Sequence, residues 1–297
     1  MSEKWTGKTD GTPFMQKTLV ALMRHTDIRV IYAVMVVFYL PFYFLTRPSA
    51  VQAQYRYFRE RLSFSRVKAI RGTWTNFYNF GQVVLDRFAA HAGKRYRYIV
   101  EDKNLFYDLV SEPQGFMVFS SHLGYFEMAG YELTTPLKKM NVVLYAGDTR
   151  VVMENRKRLL AEHNIHLIPL QPDLSHVYAI NNALSNGEIV AMPADRRVGD
   201  SKSVAVPVLG KEAKLPMGPF AIAVTRNEIV RVVFVVKEKW DTYHIFIRPL
   251  AVPSEGTTRQ RIRDLAAGYA GLLTDMAKRY PTQLYNYYDF WADKTWL

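Results

Sequence analysis

The residues best suited to chemistry are a histidine and a glutamate that follow a short apolar run. Residues 116–119 read Phe-Met-Val-Phe and predict a buried strand, after which small polar residues lead into a helix-like segment. His122 and Glu127 are five positions apart, so inside one regular helix their side chains would face different sides. They can pair if His122 lies on the strand-to-helix loop, because Gly124 permits a bend there and Glu127 then falls in the first helical turns.

Such a pair would supply a general base. Glu127 would accept a hydrogen bond from one ring nitrogen of His122 and leave the other nitrogen to remove a proton. The alternative is a histidine that caps a helix beside an ordinary surface glutamate. The spacing between His122 and Glu127 does not by itself separate these two interpretations.

A second polar cluster follows another predicted strand, over residues 188–192. It contains Asp195, Arg196 and Arg197. Arginine binds phosphate or carbonyl oxygens well and stays charged at any working pH. Because reactive groups of parallel sheets collect at strand ends, the cluster is predicted to sit at such an end, as His122 is. The alternative is a solvated loop with a local Asp–Arg ion pair.

A third candidate site lies at residues 211–219. This stretch is predicted to follow a strand and to open a helix, with Pro216 at the first helical position. A helix N-terminus there could receive an anion with help from Lys214.

Several other chemistries lack their sequence patterns. His163 and His166 are three apart, but a predicted break separates them and no third ligand is evident, so we expect no metal. The glycines form no dinucleotide or phosphate-loop fingerprint. Ser120 and Ser121 precede His122 without a Gly-x-Ser-x-Gly elbow, which argues against a covalent serine hydrolase.

The elements that must position these residues alternate between strand-like and helix-like segments from about residue 98. Apolar residues make up 49% and charged residues 22% of the 297, which is typical of a folded globular protein. Strands are predicted at 115–120, 141–145, 165–169, 188–192, 203–208, 229–237 and 243–247. Helices are predicted at 124–137, 149–162, 174–185, 216–226 and 258–280. This alternation predicts an α/β fold, with a mostly parallel mixed sheet, covered by helices on both faces and antiparallel near 229–248.

The N-terminal segment is apolar and then basic. Residues 28–45 carry one charge, at Arg29, followed by sixteen uncharged residues, somewhat fewer than the roughly 20 that cross a bilayer upright. Pro41 would kink this helix, and its tyrosines favour the interface. We expect a membrane anchor over residues 1–49 and an α/β domain over 50–297. The alternative for 28–45 is a buried core helix.

The positive charge is concentrated at the same end. Residues 1–100 contain 16 Lys and Arg against 5 Asp and Glu, whereas the rest of the chain is nearly balanced. Residues 55–71 predict a basic amphipathic helix, followed by a second helix at 72–91. An anionic partner is expected: phospholipid or an acidic carrier protein. No nucleic-acid binding is expected, because no signature of it accompanies the basic stripe. The absence of cysteine excludes disulfides and thiolate metal sites.

The segment Ser-His-Leu-Gly-Tyr-Phe-Glu-Met-Ala-Gly resembles the first motif of the lysophospholipid acyltransferase superfamily, a histidine followed after four residues by Asp or Glu. It is most similar to the branch that contains the late lipid A (lauroyl/myristoyl) acyltransferases of Gram-negative bacteria. That branch commonly reads His-x-Gly-Asn-Trp-Glu, whereas Tyr125 and Phe126 fill the two middle places here. Asp195 matches an acidic residue of the branch.

The C-terminal run is also similar to this branch, whose members often end with Pro-x-Gln-Trp and aromatic residues. Pro281 and Gln283 are kept, and Leu284 replaces the tryptophan. The run is interpreted as a wall of the acyl groove or as a closure of the core.

The resemblance implies a membrane-associated O-acyltransferase at the cytoplasmic face of the bacterial inner membrane. It would move a fatty acyl group from a thioester, on acyl carrier protein or CoA, to a lipid hydroxyl. The resemblance to the lipid A branch implies that the acceptor is a lipid A precursor. The implied catalytic residues are His122 and Glu127. The implied substrate-binding residues are Gly124, Asp195, Arg196, Arg197 and Lys214, with backbone N–H groups around Gly124 or the Arg196 guanidinium as oxyanion donors. No cofactor is expected, because the thioester already carries the activation.

Two alternatives remain within this interpretation. A 1-acylglycerol-3-phosphate acyltransferase would share the first motif, but its usual Phe-Pro-Glu-Gly-Thr-Arg block is missing here. A catalytically inactive membrane-bound scaffold of the same fold would not need His122 and Glu127, both of which are present.

Overall fold

The computed structural model describes residues 13–145, 164–171, 173–197, 201–288 and 290–291. The predicted helix at 149–162 and His163 lie outside the described residues.

Nine strands carry the fold in the described residues. They are β1 (Arg97–Glu101), β2 (Phe116–Ser120), β3 (Met140–Tyr145), β4 (Ile165–Leu170), β5 (Ile189–Pro193), β6 (Ser203–Val208), β7 (Lys211–Pro216), β8 (Val230–Lys239) and β9 (Thr242–Leu250) in the described part of the chain. Seven of them form one sheet in the order β1-β9-β8-β2-β5-β3-β4, and β6 and β7 form a separate antiparallel hairpin. Every neighbouring pair in the large sheet is parallel except β8–β9.

Helices cover both faces of this sheet. They are α1 (Pro13–His25), α2 (Ile28–Thr46), α3 (Pro48–Arg56), α4 (Arg66–His91), α5 (Asn104–Ser111), α6 (Ser175–Ser185), α7 (Met217–Arg226) and α8 (Thr258–Arg279). Strand β2 is buried throughout, and its alternate residues enter two cores. Met117 and Phe119 pack with α6, α7 and α8, while Phe116 and Val118 pack with α4 and α5. The fold class predicted from the sequence is confirmed.

Helix α2 lies along α4 and contains a π-helical turn, Met35–Tyr39, just before Pro41. Proline has no N–H for the helical ladder, and a widened turn accommodates that loss. Among the described residues, α2 is the one helix long and apolar enough to cross a membrane. One side of it is buried, including Tyr32 and Leu40, and the other side exposes apolar residues such as Phe38 and Phe42.

A buried charge cluster joins α2 to the sheet. The carboxylate of Asp86, on α4, accepts hydrogen bonds from the hydroxyls of Tyr32 and Tyr243 and, at 2.9 Å, of Tyr96. It also forms an ion pair with the ammonium group of Lys237, on β8. Buried charges are tolerated when they are paired and fully hydrogen-bonded, as these are.

The basic stretch is not one helix. After α3, a π turn at Tyr57–Arg61 and the left-handed backbone of Ser63 interrupt the helix. Ser65 then caps α4, because its side chain accepts a hydrogen bond from the N–H of Lys68. Helix α4 continues without interruption to His91, so the predicted boundary near residue 72 is wrong. The basic residues from Arg66 to Arg71 form the first turns of α4 instead.

Two further predictions are corrected. The helix expected at 124–137 is only a 3-10 helix, Phe126–Tyr131, followed by turns. Residues 211–216 form β7 rather than a loop before a helix. Pro216 therefore ends a strand and caps α7, which begins at Met217.

Candidate functional site

The register of the sheet brings the two polar clusters together. In β2 and β5, Ser120 lies opposite Pro193, and the N–H of Ala194 donates to the carbonyl of Ser120 at 3.0 Å. The carboxyl ends of these parallel neighbours therefore meet at one edge of the sheet. The loops that carry His122 and Asp195 leave the sheet side by side.

His122 and Asp195 are joined by two hydrogen bonds. The ring Nδ1 of His122 lies 2.9 Å from Oδ1 of Asp195, and the backbone N–H of His122 donates to Oδ2 at 2.8 Å. Asp195 is fully buried, whereas the His122 side chain is 27% exposed. An ionised carboxylate only accepts, so Nδ1 carries the proton and Nε2 keeps its lone pair. This is the tautomer that a general base requires.

Glu127 is not the carboxylate that binds Nδ1, so the pairing predicted from the sequence is corrected. Its Oε2 accepts from the hydroxyl of Tyr125 at 3.0 Å and lies 3.7 Å from a guanidinium nitrogen of Arg87. Glu127 lies in the first turn of the 3-10 helix, close enough for its charge to act on His122. Its part in the chemistry stays a prediction.

Burial and the charge of Arg196 favour a neutral imidazole, and the contacts of Asp195 favour its ionised form. Burial lowers the pKa of His122, and the Arg196 charge lowers it further, against the opposing effects of Asp195 and Glu127. Burial alone would raise the pKa of Asp195, but its interaction with His122, including two hydrogen bonds, and the charge of Arg196 hold that pKa below its usual range. A neutral base beside a permanent carboxylate follows from this arrangement.

The loop after His122 is held by its backbone. Gly124 has φ +70°, and an added Cβ would lie 1.7 Å from the carbonyl oxygen of Val235, so only glycine fits here. The N–H of Gly124 donates to the carbonyl of Gln283 and that of Tyr125 to the carbonyl of Val235, both at 2.7 Å. The predicted use of N–H groups around Gly124 as oxyanion donors is therefore corrected for these two, which already have acceptors.

The arginines of the second cluster have different surroundings. The Nε of Arg196 donates to Oδ1 of Asn286 at 2.9 Å, its Nη2 donates to the carbonyl of Tyr285, and its guanidinium lies 5.8 Å from the Tyr288 ring centre. Arg197 instead donates to the hydroxyl of Ser203 at 3.3 Å. Arg196 is thus fixed at the site and Arg197 at its border.

Lys214 lies on β7, opposite Ala205, and not at the start of a helix. The first N–H of α7, from Met217, donates to the carbonyl of Lys202 at 2.9 Å. The structure therefore removes the predicted reason for an anion site beside Lys214, whose role in binding stays a prediction.

An apolar cavity of about 300 Å³ opens beside the histidine loop. Its polar end contains Ser120, Tyr125, Glu127 and Arg87, and the remaining wall is mainly aliphatic. The wall includes Leu133, Met140, Val142, Leu144, Ile165, Leu167 and Ala191.

The strand register gives the length of this cavity. Pro193 lies at the carboxyl end of β5. Met140 lies opposite Ile189, four residues back along β5, and Ile165 lies opposite Met140 on the next strand. At about 3.3 Å per residue, the cavity runs about 13 Å along the strands. A narrow, apolar cavity of this length is suited to a linear hydrocarbon chain.

Sequence reasoning missed the residues of the C-terminal segment that support the site. Asn286 and Tyr285 hold Arg196, and Tyr285 donates its N–H to the carbonyl of His122 at 3.0 Å. The amide-rich composition of the run was visible, but nothing local indicated which loop it would contact.

The chain is similar to known proteins at the level of the family. The family model described as bacterial lipid A biosynthesis acyltransferase matches residues 75–285, a stretch that includes His122, Glu127, Asp195 and Arg196. Among solved structures, the 1-acyl-sn-glycerophosphate acyltransferase of Thermotoga maritima is similar, with 16% identity, a TM-score of 0.36, and coverage of 89% of this chain and 95% of that chain. No curated protein matches.

Proposed function

This chain belongs to the bacterial lipid A biosynthesis acyltransferase family, and from that membership we propose that it moves a fatty acyl group from an acyl thioester to a hydroxyl of a lipid A precursor. It is an O-acyltransferase. The observation that carries the proposal is His122, held by the buried Asp195 with Nε2 as its basic nitrogen. Its ring lies 5.8 Å from the ring of Phe126, which lines the apolar cavity.

The proposed reaction begins with the acyl chain in the cavity and the thioester carbonyl beside His122. Nε2 of His122 removes the proton of the acceptor hydroxyl as that oxygen attacks the carbonyl carbon. The C–S bond then breaks, and the proton passes from the imidazolium to the leaving thiolate. General-base help of this kind contributes roughly 10² to 10⁴ in rate.

Asp195 and Glu127 would both stabilise the imidazolium that forms. Asp195 would fix the tautomer through its hydrogen bond, and Glu127 would act through its nearby charge. Arg196 is the proposed donor to the oxyanion, because its guanidinium is fixed at two nitrogens and its charge already acts on His122. One such donor supplies about 3–4 kcal/mol. Gly124 would shape the histidine loop, and substrate binding by Arg197 and Lys214 stays a prediction.

The protein would meet its substrates at the cytoplasmic face of the inner membrane. The exposed side of α2 continues onto α4, because the rings of Phe44 and Trp74 lie 5.1 Å apart and Val67 and Ile70 are exposed beside them. Basic residues border this surface, including Arg66, Lys68 and Arg71. Apolar side chains with a basic border fit an anionic lipid surface, and the same charges suit an acidic carrier protein as donor.

The test uses purified protein in nanodiscs with a lipid A precursor and lauroyl thioesters of either acyl carrier protein or CoA. Mass spectrometry of the lipid should detect the added acyl group in the wild type. His122→Ala should lower kcat by about 10² to 10⁴, because the general base is removed. His166→Ala is the matched control, because His166 is exposed on β4, and it should keep full turnover.

Three results would contradict the proposal. Near-normal turnover by His122→Ala would end the assigned mechanism. Preference for 1-acylglycerol-3-phosphate over the lipid A precursor would replace the acceptor. Absence of turnover with every donor and acceptor pair would favour the inactive scaffold.

A further inference from the structure

The C-terminal segment, residues 281–288, lies between helices α3 and α4 on one side and the histidine loop on the other. Its carbonyl groups are bound by side-chain amides of buried residues. Gln54 donates to the carbonyls of Leu284 and Asn286, at 3.1 and 3.0 Å, and Asn76 donates to those of Thr282 and Leu284, at 3.1 and 2.9 Å. This segment is therefore fixed from the side of α3 and α4.

On its other side the segment contacts both parts of the reactive site. It accepts from the N–H of Gly124 through Gln283 and donates to the carbonyl of His122 through Tyr285. It also receives two hydrogen bonds from Arg196, one at the side chain of Asn286 and one at the carbonyl of Tyr285. The histidine and the arginine are thus held by neighbouring residues of one segment.

We infer that Asn286 is a positioning residue for the proposed acyl transfer, because its side-chain oxygen fixes the guanidinium of Arg196 beside His122. The inference rests on the proposed function. Asn286 touches no reacting atom in this arrangement and acts through Arg196.

An amide is better suited to this position than a carboxylate. Asn286 is buried, and its Nδ2 has no hydrogen-bond partner among the described residues, so only the oxygen is used. A carboxylate would keep the same acceptor but would offset the charge of Arg196. The amide anchors the guanidinium and leaves its full charge to act on His122.

Three charged groups act on His122, and a fourth forms an ion pair with one of them. Asp195 and Arg196 face it from the loop after β5, and Glu127 faces it from the 3-10 helix, where Arg87 of α4 pairs with Glu127. Of the groups that act on His122, Arg196 is the one that favours the neutral ring. If Arg196 moves away, the His122 ring protonates at higher pH and less base is available near neutrality.

The first measurement is direct titration of His122. Protein labelled with carbon-13 in histidine is titrated in nanodiscs by NMR, and the His122 resonance is assigned by its loss in His122→Asn. Asn286→Ala should move the His122 midpoint to higher pH. Asn79→Ala is the matched control, because Asn79 binds the same segment at Thr282, away from Arg196, and should leave the midpoint unchanged.

The second measurement is kinetic. Asn286→Ala should lower kcat about tenfold to a hundredfold, as expected for a misplaced group at a reacting centre, with little change in the KM of the acyl donor. When Arg196→Gln is already present, adding Asn286→Ala should lower kcat further by less than about twofold. The effects of two residues that act through one group are not additive. Asn286→Asp should fold, keep the anchor, and still raise the His122 midpoint.

The outcomes separate this inference from the proposed function. A wild type without turnover overturns the proposed function and this inference with it. If the wild type is active and depends on His122, three results overturn the inference alone. The first is an unchanged His122 midpoint in Asn286→Ala. The second, used if the alanine variant does not fold, is an unchanged midpoint in Asn286→Asp. The third is a loss of kcat in the double variant equal to the product of the losses in Asn286→Ala and Arg196→Gln alone.

Discussion

At the residue scale, the basicity of His122 is set by neighbours with opposing charges. Burial and Arg196 favour the neutral ring, whereas Asp195 and Glu127 favour the protonated one. The result is a base that is available at neutral pH and whose conjugate acid is still stabilised during the reaction. Each neighbour can be tested separately, because each makes a different contact.

Asp195→Asn should cost more activity than Glu127→Gln. An asparagine has one acceptor oxygen for two donors, the N–H and the Nδ1–H of His122, so the tautomer is no longer fixed. We expect kcat to fall about 10³- to 10⁴-fold for Asp195→Asn and about tenfold, or 1.4 kcal/mol, for Glu127→Gln. Turnover measured at saturating donor, with unfolding followed for both variants, decides this. A larger loss in Glu127→Gln would restore Glu127 as the orienting carboxylate.

Arg196→Gln should move the acid limb of the pH profile of kcat/KM to higher pH. Arg196 lowers the pKa of His122, so removing its charge raises that pKa, and the active neutral ring appears only at higher pH. Arg197→Gln is the matched control, because Arg197 binds Ser203 and is not among the charges that act on His122. Profiles recorded from pH 5 to 9 should separate the two; a shared shift would contradict the assignment.

At the element scale, the cavity along β3, β4 and β5 should determine acyl chain length. Gly130, on the 3-10 helix, lines this cavity, and a Cβ added there would meet only the flexible end of Ile165, at 3.3 Å. Ile165 lies at the inner end of the cavity.

Gly130→Leu should therefore shift the preferred donor to chains shorter by several carbons, with kcat for the short donor kept within about threefold. An added leucine side chain occupies apolar space that a longer chain would fill. Competition among C8 to C16 thioesters in one reaction, read by mass spectrometry, measures the shift. An unchanged chain-length profile would place the acyl chain elsewhere.

The strands were predictable and the local helices less so. Apolar runs such as 116–119 and 229–237 marked strands to within about two residues because buried parallel strands need them. Segment 211–216 was missed because Lys211 and Glu212 are poor strand formers and the pairing with β6 is made by tertiary context. The helix at 124–137 was overestimated, since turns replace it after Tyr131.

The site was predictable in its residue types but not in its pairings. His122, Asp195 and Arg196 could be singled out because they follow predicted strands. The partner of His122 is 73 positions away and becomes a neighbour only through the β2–β5 register, which one sequence does not specify. Local spacing therefore favours the nearby Glu127 over the distant Asp195.

At the scale of the whole molecule, the exposed side of α2 should bind the membrane. Phe38 and Phe42 are 70% and 61% exposed. Burying each in lipid gains at least about 1.5 kcal/mol, so Phe38→Ser with Phe42→Ser should weaken binding to anionic vesicles about 100-fold. Leu137→Ser with Tyr178→Ser, equally exposed elsewhere, is the control. Sedimentation with vesicles measures both, and equal binding by all three proteins would exclude α2 as the contact.

The cluster of Asp86, Lys237 and Tyr32 has a consequence for how the protein can be handled. Tyr32 on α2 covers the buried ion pair of Asp86 and Lys237. The apolar helix α2 is therefore part of the packed structure as well as a candidate membrane contact. A shortened version that begins at residue 50 would open that pair to water and strip the cover from α4. Crystallographers seeking a soluble fragment should keep the first helices and choose mild solubilisation instead.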